Sequence, residues 1–384
     1  MRAVVDARAA GEPRRTGIGH YVSGLVGHLP SASPEDTFVA WCVHVLGARA
    51  TRRRFPDAPN LQVRTTRIPP RLLGAVTRRL NVPRVEWLAG SADVLLATNF
   101  IPPPTRIPAL VIVVHDLAFE LLPETAPVHR GPEFRARLAR WLDRATRVIV
   151  PSASAGDDLA RRYEVDPGRI DVIHHGTDAH AYRAADETRI EDARRRFGIS
   201  GRYVLFVGGL EPRKNIARLI TAFASVPTDA SLVLAGGPVP WHPDEAERLN
   251  ALIDELPQQV RRRVIRTGYV SVRDKHALIS GATALAYPSL HEGFGLPVLE
   301  GFAAGVPVLT SDISSLPEVA GDAAMLVDPM DPASIARGLA TLLADADLRE
   351  MLAAAGMARA ASFTWERCAR LTVATLRRAA EEAG

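Results

Sequence analysis

Short apolar runs alternate with longer amphipathic stretches along almost the whole chain. This alternation is typical of units in which a strand buried on both faces is followed by a helix that is apolar on one face, and such units feed parallel sheets. The runs form two series, so we predict an α/β protein with two domains, each built on a parallel sheet. The predicted strands are residues 2–7, 92–98, 109–116, 146–152 and 170–176 in the first series and 203–209, 231–237, 263–269, 284–289, 306–312 and 323–329 in the second.

A polar, charged segment without strand periodicity separates the two series. We therefore place the domain boundary within residues 177–202. The predicted N-terminal domain is 1–180, a linker region follows at 181–202, and the predicted C-terminal domain is 203–365. A chain of 384 residues is long enough to give each domain its own core.

The composition argues against several classes of protein. Hydrophobic residues make up 47% of the chain, yet no run approaches the roughly 20 apolar residues of a membrane-spanning helix. The first residues lack the apolar core of a signal peptide, so we expect a cytoplasmic protein. Cys42 and Cys368 are the only cysteines and lie at opposite ends of the chain, so we expect buried thiols rather than a disulfide framework or a zinc cluster.

The formal charge of +4 comes mostly from arginine. It favours anionic ligands or an anionic membrane face, although a general bias toward alanine and arginine explains it at least as well. The arginines are scattered, and no stretch interleaves basic and aromatic residues as a nucleic-acid platform would. We therefore expect no nucleic-acid partner.

In open parallel sheets the ligand binds beyond the carboxyl ends of the strands. After the first predicted strand, Gly17 and Gly19 lie at the start of a helix whose apolar residues recur at helical spacing from Ile18 onward. A glycine there lets an anion approach the free N–H groups of the helix start. The same pattern also forms ordinary tight turns, so on its own it leaves phosphate binding open.

Two cations follow the first predicted strand of the second series. Arg213 and Lys214 stand directly before a helix that begins near Ile216, for which Asn215 is the expected N-cap. The helix dipole disfavours cations at this end, so the pair favours a bound phosphate that interacts with the dipole and with both side chains. The alternative is that both side chains point into solvent, where the penalty is about a few tenths of a kcal/mol.

His115 and Asp116 end the apolar run 109–116. A lone histidine in this place is either a hydrogen-bonded structural residue or a functional one. Its position at the mouth of the first predicted sheet, where a second domain would close, makes His115 a candidate site residue.

The stretch HEGFGLPVLEGFAAG, residues 291–305, places Glu292 in the loop after a strand and Glu300 about one turn into a short helix that Pro297 begins. The N–H groups of residues 294–296 fall at the helix N-terminus, where they can bind an anion. Two carboxylates flanking an anion site suit a ligand with hydroxyls at both ends and a diphosphate between them, which describes a nucleotide-sugar. The alternative is a pair of solvent-facing acids near a helix start.

At these residues the sequence resembles a known family. The stretch YPSLHEGFGLPVLEGFAAGVPVLTSDISSLPEVAGDAAMLVDP, residues 287–329, resembles the donor-binding segment of retaining glycosyltransferase family 4, whose signature is two glutamates separated by seven residues. VGGLEPRKN, VIVPSASAGDDL and VIHHGTD resemble further family segments in order, so the resemblance covers nearly the whole chain. It implies the GT-B architecture: two Rossmann-like domains with parallel sheets facing a central cleft, the C-terminal one for the donor and the N-terminal one for the acceptor. It also implies that a helix at 366–384 crosses back onto the N-terminal domain.

The resemblance implies a role for each matching residue. Glu292 would contact the hydroxyls of the transferred sugar, Glu300 the ribose, and Lys214, with Arg213 beside it, the diphosphate. The implied donor-binding set is Gly17, Arg213, Lys214, Val270, Glu292, Gly293, Phe294, Gly295, Leu296 and Glu300, and the implied catalytic set is His115, Arg213, Lys214 and Glu292.

Three further roles and one departure come from the same resemblance. His115 would contact the sugar near the reacting carbon, Gly17 would let the N-terminal loop approach the phosphates, and Val270 would hold the base through its backbone. Many family members have an arginine directly after the glycine that ends the first strand of the second domain, whereas this chain has Gly209 there. We expect Arg213 to supply that second positive charge.

The implied reaction is transfer of a hexose with retention of the anomeric configuration. Cations and helix N-termini would stabilise the leaving diphosphate, so the resemblance implies neither a dedicated base nor a metal ion. Asp345 and Asp347 form the only Asp-x-Asp pattern and are interpreted as solvated surface. No cofactor besides the nucleotide-sugar co-substrate is expected; the branch indicates GDP-mannose, and a UDP- or dTDP-sugar is the alternative.

The expected acceptor is a saccharide, a lipid-linked saccharide or a small-molecule glycoside. The basic amphipathic stretch 67–88 either rests on an anionic membrane, at its inner face, or packs on the sheet as a solvated helix. Two other classes stay open from the residues alone. One is a nucleotide-sugar epimerase or hydrolase on the same scaffold, and the other is a catalytically silent subunit that binds a nucleotide-sugar.

Overall fold

The computed structural model describes residues 1–12, 16–43, 48–67, 76–77, 80–126, 130–183 and 186–384. The chain divides into two compact units. The first unit comprises 1–117, 130–176 and 363–384, and the second comprises 118–129 and 177–362. Each unit contains one parallel sheet, as the sequence predicts.

The sheet of the first unit has seven described strands, all paired in parallel. They are β1 (Arg2–Asp6), β2 (Thr37–Val43), β3 (Leu61–Thr66), β4 (Val94–Ala97), β5 (Ala109–Val113), β6 (Arg147–Val150) and β7 (Ile170–Val172). Their order across the sheet is β3-β2-β1-β4-β5-β6-β7. The order reverses between β1 and β4, and in open α/β sheets ligands bind at such a switch point.

Five of these strands are predicted from the sequence, each in the structure shorter than expected, whereas β2 and β3 are absent from the prediction. β2 has the apolar sequence TFVAWCV, which is typical of a buried strand, so β2 could have been predicted from the sequence. β3 lies at the edge of the sheet, and its sequence LQVRTT alternates between buried and more exposed side chains. An edge strand lacks the continuous apolar run on which the prediction depends.

The sheet of the second unit has six described strands, all paired in parallel. They are β8 (Tyr203–Val207), β9 (Ser231–Ala235), β10 (Val264–Gly268), β11 (Ala284–Tyr287), β12 (Val308–Ser311) and β13 (Ala324–Val327). All six predicted strands are confirmed. Their order is β10-β9-β8-β11-β12-β13, so the switch point of this sheet lies between β8 and β11.

Helices cover both faces of such sheets and connect their parallel strands. The described α-helices are Gly17–Ala32, Ala48–Arg52, Val85–Ala89, Ala118–Leu121, Pro132–Arg144, Ala153–Tyr163, Ala179–Arg183, Glu187–Phe197, Ile216–Ala224, Glu245–Asp254, Gln258–Arg261, Val272–Ser280, Leu296–Ala303, Leu316–Ala320, Pro332–Ala344, Ala346–Ala360 and Trp365–Ala383. Short 3-10 turns occur at Arg8–Gly11, Pro123–Thr125, Pro167–Arg169 and Pro212–Lys214. The predicted helix starts at Gly17 and Ile216, and the helix with Pro297 in its first turn, are confirmed.

The helix Trp365–Ala383 packs within the first unit, against helix Gly17–Ala32. A Cβ at Gly24 would lie 2.3 Å from Cε2 of Trp365, and a Cβ at Gly176 would lie 2.3 Å from its backbone nitrogen. Only glycine lets the tryptophan approach this closely at both places. Side chains of the helix then join the core between helix and strands, so residues from 363 onward complete the core of the first unit.

The predicted domains and the observed units divide the chain at nearby places. The first unit runs to residue 176 and resumes at 363, but residues 118–129, which the prediction includes in the N-terminal domain, belong to the second unit. The predicted linker region 181–202 contains helix Glu187–Phe197, which belongs to the second unit.

Several smaller expectations can be compared with the structure. Cys42 and Cys368 are buried as predicted, and burial raises the pKa of each thiol to about 12. Asp345 and Asp347 are exposed, as predicted. Asp345 also caps the helix Ala346–Ala360, because its carboxylate accepts from a backbone N–H of the first turn.

The basic stretch 67–88 is described only in part, since residues 68–75, 78 and 79 lie outside the described residues. Its described end includes Trp87, which is 63% exposed, with the guanidinium of Arg84 5.4 Å from the centre of its ring. Across the described part of the chain, no helix combines the length and apolar character that crossing a membrane requires.

Candidate active site

The loops that follow β8 and β11 meet at the switch point of the second sheet. The backbone N–H of Leu290 donates to the carbonyl of Arg213 at 2.8 Å, which ties the two loops together. Arg213 and Lys214 form a 3-10 turn after β8, and Glu292 lies in the loop after β11. The fold therefore brings two predicted cations and one predicted carboxylate to one point.

Asn215 occupies the N-cap position of helix Ile216–Ala224, but its side chain does not cap the helix. Its amide donates instead to the carbonyls of Pro288, at 3.0 Å, and Pro329, at 2.7 Å. The predicted N-cap position is therefore confirmed, although the Asn215 side chain binds other groups than the helix N–H groups. A left-handed backbone, with φ of 61°, turns the side chain toward the loop after β11, so Asn215 fixes the turn that carries Lys214.

The carboxylate of Glu292 is surrounded by donors. Lys214 Nζ lies 2.5 Å from Oε1, and Arg213 Nη1 lies 3.0 Å from Oε2. Tyr287 and Ser289 donate their hydroxyls to Oε1 at 2.9 Å and 2.6 Å. Glu292 and Lys214 are only 8% and 7% exposed, so the alternative of solvent-facing side chains is wrong for both.

Charge governs protonation in this cluster. Burial alone would favour the neutral acid at Glu292, but Arg213 and Lys214 outweigh it and hold the pKa of this carboxyl well below its usual range. Burial and the neighbouring Arg213 lower the pKa of Lys214, while Glu292 opposes that change. Burial, together with the Glu292 charge, raises the pKa of Tyr287 well above its usual value, so its phenol stays a donor.

Two serines hold the backbone of Glu292. Ser314 Oγ accepts from the Glu292 N–H at 3.1 Å and donates to its carbonyl at 2.6 Å. Ser315 Oγ lies 2.8 Å from the same carbonyl and 3.1 Å from that of Phe294. Because both main-chain groups and the carboxylate are held, the side chain is fixed before any ligand arrives.

The predicted backbone donors, residues 293–296, lead into helix Leu296–Ala303. Gly295 has φ of 105°, and a Cβ there would lie 2.7 Å from Cδ2 of Leu316, so this turn requires glycine. The side chain of Phe294 is buried, at 3% exposure, and anchors the turn in the core. The structure thus places this segment at a helix N-terminus, as predicted, directly after Glu292.

Glu300 lies in the helix that follows this turn, and it forms a second, separate ion pair. Lys275 Nζ, from helix Val272–Ser280, lies 2.5 Å from Glu300 Oε1. The side chains of both residues are largely buried, at 12% and 13% exposure. Burial, together with the Glu300 charge, raises the pKa of Tyr182, itself 4% exposed, well above its usual value.

Two other predicted positions of the second unit have simple structural accounts. Val270 follows β10 and is half-buried, beyond the carboxyl end of that strand. A Cβ at Gly209 would lie 2.7 Å from Cγ1 of Val239. This close packing leaves little room for a larger side chain at 209, the position where the chain departs from the family pattern.

In the first unit, the loops after β1, β4 and β5 are joined by hydrogen bonds. Thr98 Oγ1 donates to the carbonyl of Asp6 at 2.5 Å, and His115 Nε2 donates to the carbonyl of Thr98 at 2.9 Å. Tyr21, one turn beyond Gly17 in the same helix, has its ring centre 5.0 Å from that of His115. The two predicted residues of this half, Gly17 and His115, therefore lie at the switch point of the first sheet.

His115 is 7% exposed, and burial lowers the pKa of its imidazole. The ring is therefore neutral at physiological pH. A carbonyl can only accept, so Nε2 carries the proton and Nδ1 does not. Gly17 itself is exposed, and a Cβ there would meet no atom of the described residues within 4 Å.

The structure thus groups the predicted residues into sets within each unit: Arg213, Lys214 and Glu292 in one cluster, Glu300 in another, and Gly17 and His115 at the first switch point. Sequence reasoning missed three partners: Tyr287, Ser289 and Lys275. Tyr287 and Ser289 belong to the YPS segment just before Glu292, so the polar groups at this strand end could have identified them as site residues.

Among the described residues, no group of three or more His, Cys, Asp and Glu side chains is arranged to hold a metal ion.

Solved structures with the same fold are glycosyltransferases and related enzymes. Anabaena HepE, in complex with UDP and glucose, superposes with a TM-score of 0.76 at 18% identity, over 98% of this chain and 100% of that chain. Sucrose-phosphate synthase from Thermosynechococcus elongatus gives 0.74 at 22% identity, over 98% of both chains. The fold is that of the GT-B glycosyltransferases.

Sequence comparison gives the family. A model described as Glycosyltransferase Family 4 matches residues 17–181, and one described as Glycosyl transferases group 1 matches residues 189–359. O-antigen chain mannosyltransferase B of Escherichia coli is 31% identical over 275 residues, which cover 70% of each chain. The chain belongs to glycosyltransferase family 4.

Two further relatives are longer than the matched region. D-inositol 3-phosphate glycosyltransferase of Salinispora arenicola is 33% identical over 300 residues, 73% of this chain and 64% of that protein. The serotype-specific mannosyltransferase WbdA of Escherichia coli is 31% identical over 273 residues, 68% of this chain and 32% of that protein. The matched region thus spans less than two thirds of either relative, and mannosyltransferases are among the relatives of this chain.

Proposed function

We propose that the protein transfers mannose from GDP-mannose to a hydroxyl of a saccharide, a lipid-linked saccharide or a small-molecule glycoside, with retention of configuration and without a metal ion. The mannosyltransferase relatives support the choice of sugar. The observation that carries the proposal is the buried carboxylate of Glu292, held between Arg213 and Lys214 at the switch point of the second sheet.

This cluster contains matched charges. Arg213 and Lys214 are balanced by Glu292 and by Glu211, whose Oε2 lies 2.9 Å from Arg213 Nε. A diphosphate can replace a carboxylate as the partner of either cation, so the exchange leaves no buried cation unpaired. Glu292 can then accept from sugar hydroxyls with its backbone still fixed by Ser314.

The proposed reaction breaks the bond between the anomeric carbon and a β-phosphate oxygen of the donor. The acceptor oxygen forms its bond on the same face, and its proton passes to the released phosphate oxygen. Arg213 and Lys214 stabilise the negative charge that builds on the leaving group, which is the largest kind of contribution a preorganised site makes. No cofactor takes part.

The first unit contributes His115 and Gly17 to this proposal. The Thr98 carbonyl fixes the orientation of the His115 ring, and the neutral ring presents an unprotonated Nδ1 that can accept from a sugar hydroxyl. Gly17, with space around its α-carbon, allows a phosphate to approach the start of its helix.

A UDP-sugar is the second candidate donor. HepE, whose fold this chain shares, has been solved in complex with UDP-glucose as well as with UDP and glucose. The described site contacts involve sugar and diphosphate groups that all nucleotide-sugars have in common.

Calorimetry with GDP, UDP, ADP and dTDP and their common sugars, with and without magnesium, tests the donor. We expect GDP and GDP-mannose to bind selectively, with equal affinity in magnesium and in EDTA. Selective binding of UDP compounds would keep the glycosyltransferase but discard mannose. Binding of no nucleotide at all would contradict the proposal and favour a different function for the scaffold.

Retention is tested separately from donor choice. Proton NMR of the isolated glycoside product should show the α-configuration of the donor at the newly formed linkage. A β-linked product would discard retention while leaving the donor assignment intact.

A further inference from the structure

The hydroxyl of Tyr287 contacts both partners of the ion pair at the second switch point. Its oxygen accepts from Lys214 Nζ at 2.5 Å, and the same hydroxyl donates to Glu292 Oε1 at 2.9 Å. Lys214 Nζ in turn lies 2.5 Å from Glu292 Oε1, so the three groups form a closed triangle. Tyr287, Lys214 and Glu292 are 1%, 7% and 8% exposed, so little bulk water reaches the triangle.

The position of this hydroxyl is set by the sheet. Tyr287 is the last residue of β11, and its backbone pairs with Thr310 of β12. The Thr310 hydroxyl donates to the Tyr287 carbonyl at 2.9 Å, and the Tyr287 ring stacks on Phe206 of β8, with ring centres 5.8 Å apart. Neighbouring strands on both sides thus hold the tyrosine, whereas Lys214 and Glu292 lie in the segments that follow strands.

The Tyr287 phenol can donate and accept at once, which neither charged partner can. An ammonium only donates and a carboxylate only accepts, whereas a neutral hydroxyl does both. Burial, together with the Glu292 charge, raises the pKa of Tyr287 well above its usual value, so the phenol stays neutral at physiological pH. Lys214 has two acceptors among the described residues, Tyr287 Oη and Glu292 Oε1.

The hydrogen bonds of the Glu292 carboxylate are unevenly divided between its two oxygens. Oε1 accepts from Lys214, Tyr287 and Ser289. Oε2 accepts from Arg213. When Lys214 turns toward another anion, Oε1 therefore keeps two hydroxyl donors, and the carboxylate keeps its orientation. Lys214 keeps the phenol oxygen as an acceptor, so its ammonium does not become unpaired, which is the costly state of a buried charge.

We propose that Tyr287 is a positioning residue, whose hydroxyl holds the Lys214 ammonium and the Glu292 carboxylate in place while Lys214 exchanges this carboxylate for the donor diphosphate. This inference rests on the proposed function, because it assumes that Lys214 binds the diphosphate. The phenol acts through its two hydrogen bonds and transfers no proton. A lysine ammonium stands on a flexible stem. Because Tyr287 restrains that stem before the donor arrives, less side-chain entropy is lost on binding.

The test compares two buried tyrosines of the same sheet. Tyr287→Phe removes the hydroxyl and keeps the ring. Tyr203→Phe is the matched control, because Tyr203 is also 1% exposed, lies in the neighbouring strand β8 and donates its hydroxyl to the Leu278 carbonyl at 2.7 Å. Calorimetry uses whichever of GDP, UDP and ADP the wild type binds most tightly. Tyr287→Phe should weaken binding about tenfold, on the scale of one hydrogen bond to a charged group, and Tyr203→Phe should leave it unchanged. Thermal unfolding shows that each variant is folded.

A double-mutant cycle shows whether Tyr287 acts through Lys214. In the Lys214→Ala background, Tyr287→Phe should change nucleotide affinity by less than about twofold, because the ammonium that the hydroxyl holds is absent. Ser289→Ala grades the effect. It removes another hydroxyl from Glu292 Oε1 but none from Lys214, so it should weaken nucleotide binding less than Tyr287→Phe does.

The scarcity of lysine allows the position of Lys214 to be observed directly. Lys214 and Lys275 are the only lysines, so protein labelled with ¹³C at lysine Cε gives two carbon signals, and Lys275→Met identifies them. The two Cε protons of a lysine differ in chemical shift when the side chain is held in one rotamer, and become equal when it rotates freely. Those of Lys214 should stay distinct in the wild type, with and without nucleotide, and converge in Tyr287→Phe. Those of Lys275 should be the same in both proteins.

Distinct outcomes separate this inference from the proposed function. If Tyr287→Phe leaves nucleotide affinity and the Lys214 signals unchanged, or if Tyr203→Phe causes the same loss of affinity, Tyr287 has no positioning role and the inference fails alone. Equal effects of Tyr287→Phe with and without Lys214 contradict it as well. So do equal Cε protons of Lys214 in the wild type, a result that needs no variant. If the wild type binds none of the nucleotides, the proposed function and this inference fail together.

Discussion

The two lysine–glutamate pairs of the second unit have the same contact distance but different surroundings. Lys214 and Glu292 belong to a network that also contains Arg213 and two hydroxyl donors, and both residues are nearly inaccessible to solvent. Lys275 and Glu300 form a pair between two helices, with side chains that are 12% and 13% exposed. Two ion pairs of equal length therefore need not have the same role, because their neighbours differ.

The surroundings of each pair also predict how strongly a mutation of one partner destabilises the protein. Removing one partner of a buried ion pair typically costs about 3–5 kcal/mol, because the remaining charge stays buried without compensation. When Glu292 is removed, Arg213 and Lys214 lose the carboxylate between them and repel each other. At Glu300 the cation among the described residues that loses its partner is Lys275. The first pair should therefore be more sensitive to mutation in both stability and turnover.

The largest expected effect is at Glu292. Glu292→Ala should reduce transfer by about a thousandfold or more, because the sugar loses its carboxylate and the two cations lose theirs. Single-turnover assays with saturating donor measure this, and thermal unfolding shows whether the variant is folded. Unchanged turnover in folded Glu292→Ala would remove this residue from the site.

The next effect is at Lys214. Lys214→Ala should lower kcat by roughly 100-fold, on the scale seen when a donor to a developing oxyanion is removed. Lys275→Met is the matched comparison, since it should raise KM for the donor while keeping kcat within about threefold. Equal effects of the two substitutions on kcat would show that the two ion pairs have the same role in the reaction.

A smaller effect is expected at Glu300. Glu300→Ala should weaken nucleotide binding by about tenfold, because one charge-assisted hydrogen bond to the ligand is lost, and should change kcat little. Calorimetry and steady-state kinetics together separate the two quantities. A fall in kcat at unchanged nucleotide affinity would place Glu300 at the reacting end rather than at the ribose.

The smallest effect concerns acid stability. Since the folded-state pKa of Glu292 lies below its ordinary value of 4.5, the native state binds fewer protons than the unfolded chain in acid. The stabilisation from this carboxylate is fully present above about pH 4.5 and is lost as pH falls below it. Urea unfolding should therefore show a difference between wild type and Glu292→Gln that shrinks from pH 6 to pH 3.

A charge-matched control makes that measurement specific. Glu350 is exposed, so Glu350→Gln should change the free energy of unfolding little at any pH. A pH-independent difference between wild type and Glu292→Gln would mean that the Glu292 carboxylate is not stabilised by its cations.

The second sheet and the first pair could be predicted from the sequence because their signals are local. Each strand of that sheet has its own apolar run, and Arg213, Lys214 and Glu292 each follow directly after a strand. The side-chain partners of Asn215 could not be predicted, because they are carbonyls far along the chain, at Pro288 and Pro329. Sequence spacing contains no record of such contacts.

Only one member of the second pair, Glu300, could be predicted from the sequence. Glu300 belongs to a motif, whereas Lys275 lies 25 residues before it on another helix, and Tyr182 comes from a segment that the sequence indicates as a linker. Their meeting depends on how helices pack on the sheet. β3 was missed for a related reason, because an edge strand is only partly covered and its pattern is weak.

The place of Trp365 in the first unit has a consequence for the order in which the chain folds. Residues 1–176 are synthesised before the whole stretch 177–362, and only then does the tryptophan that fits against Gly24 and Gly176 emerge. At about 5–20 residues per second, the delay is on the order of tens of seconds. During biosynthesis the second unit can therefore be complete while the apolar face of helix Gly17–Ala32 is still without the helix that covers it in the folded protein.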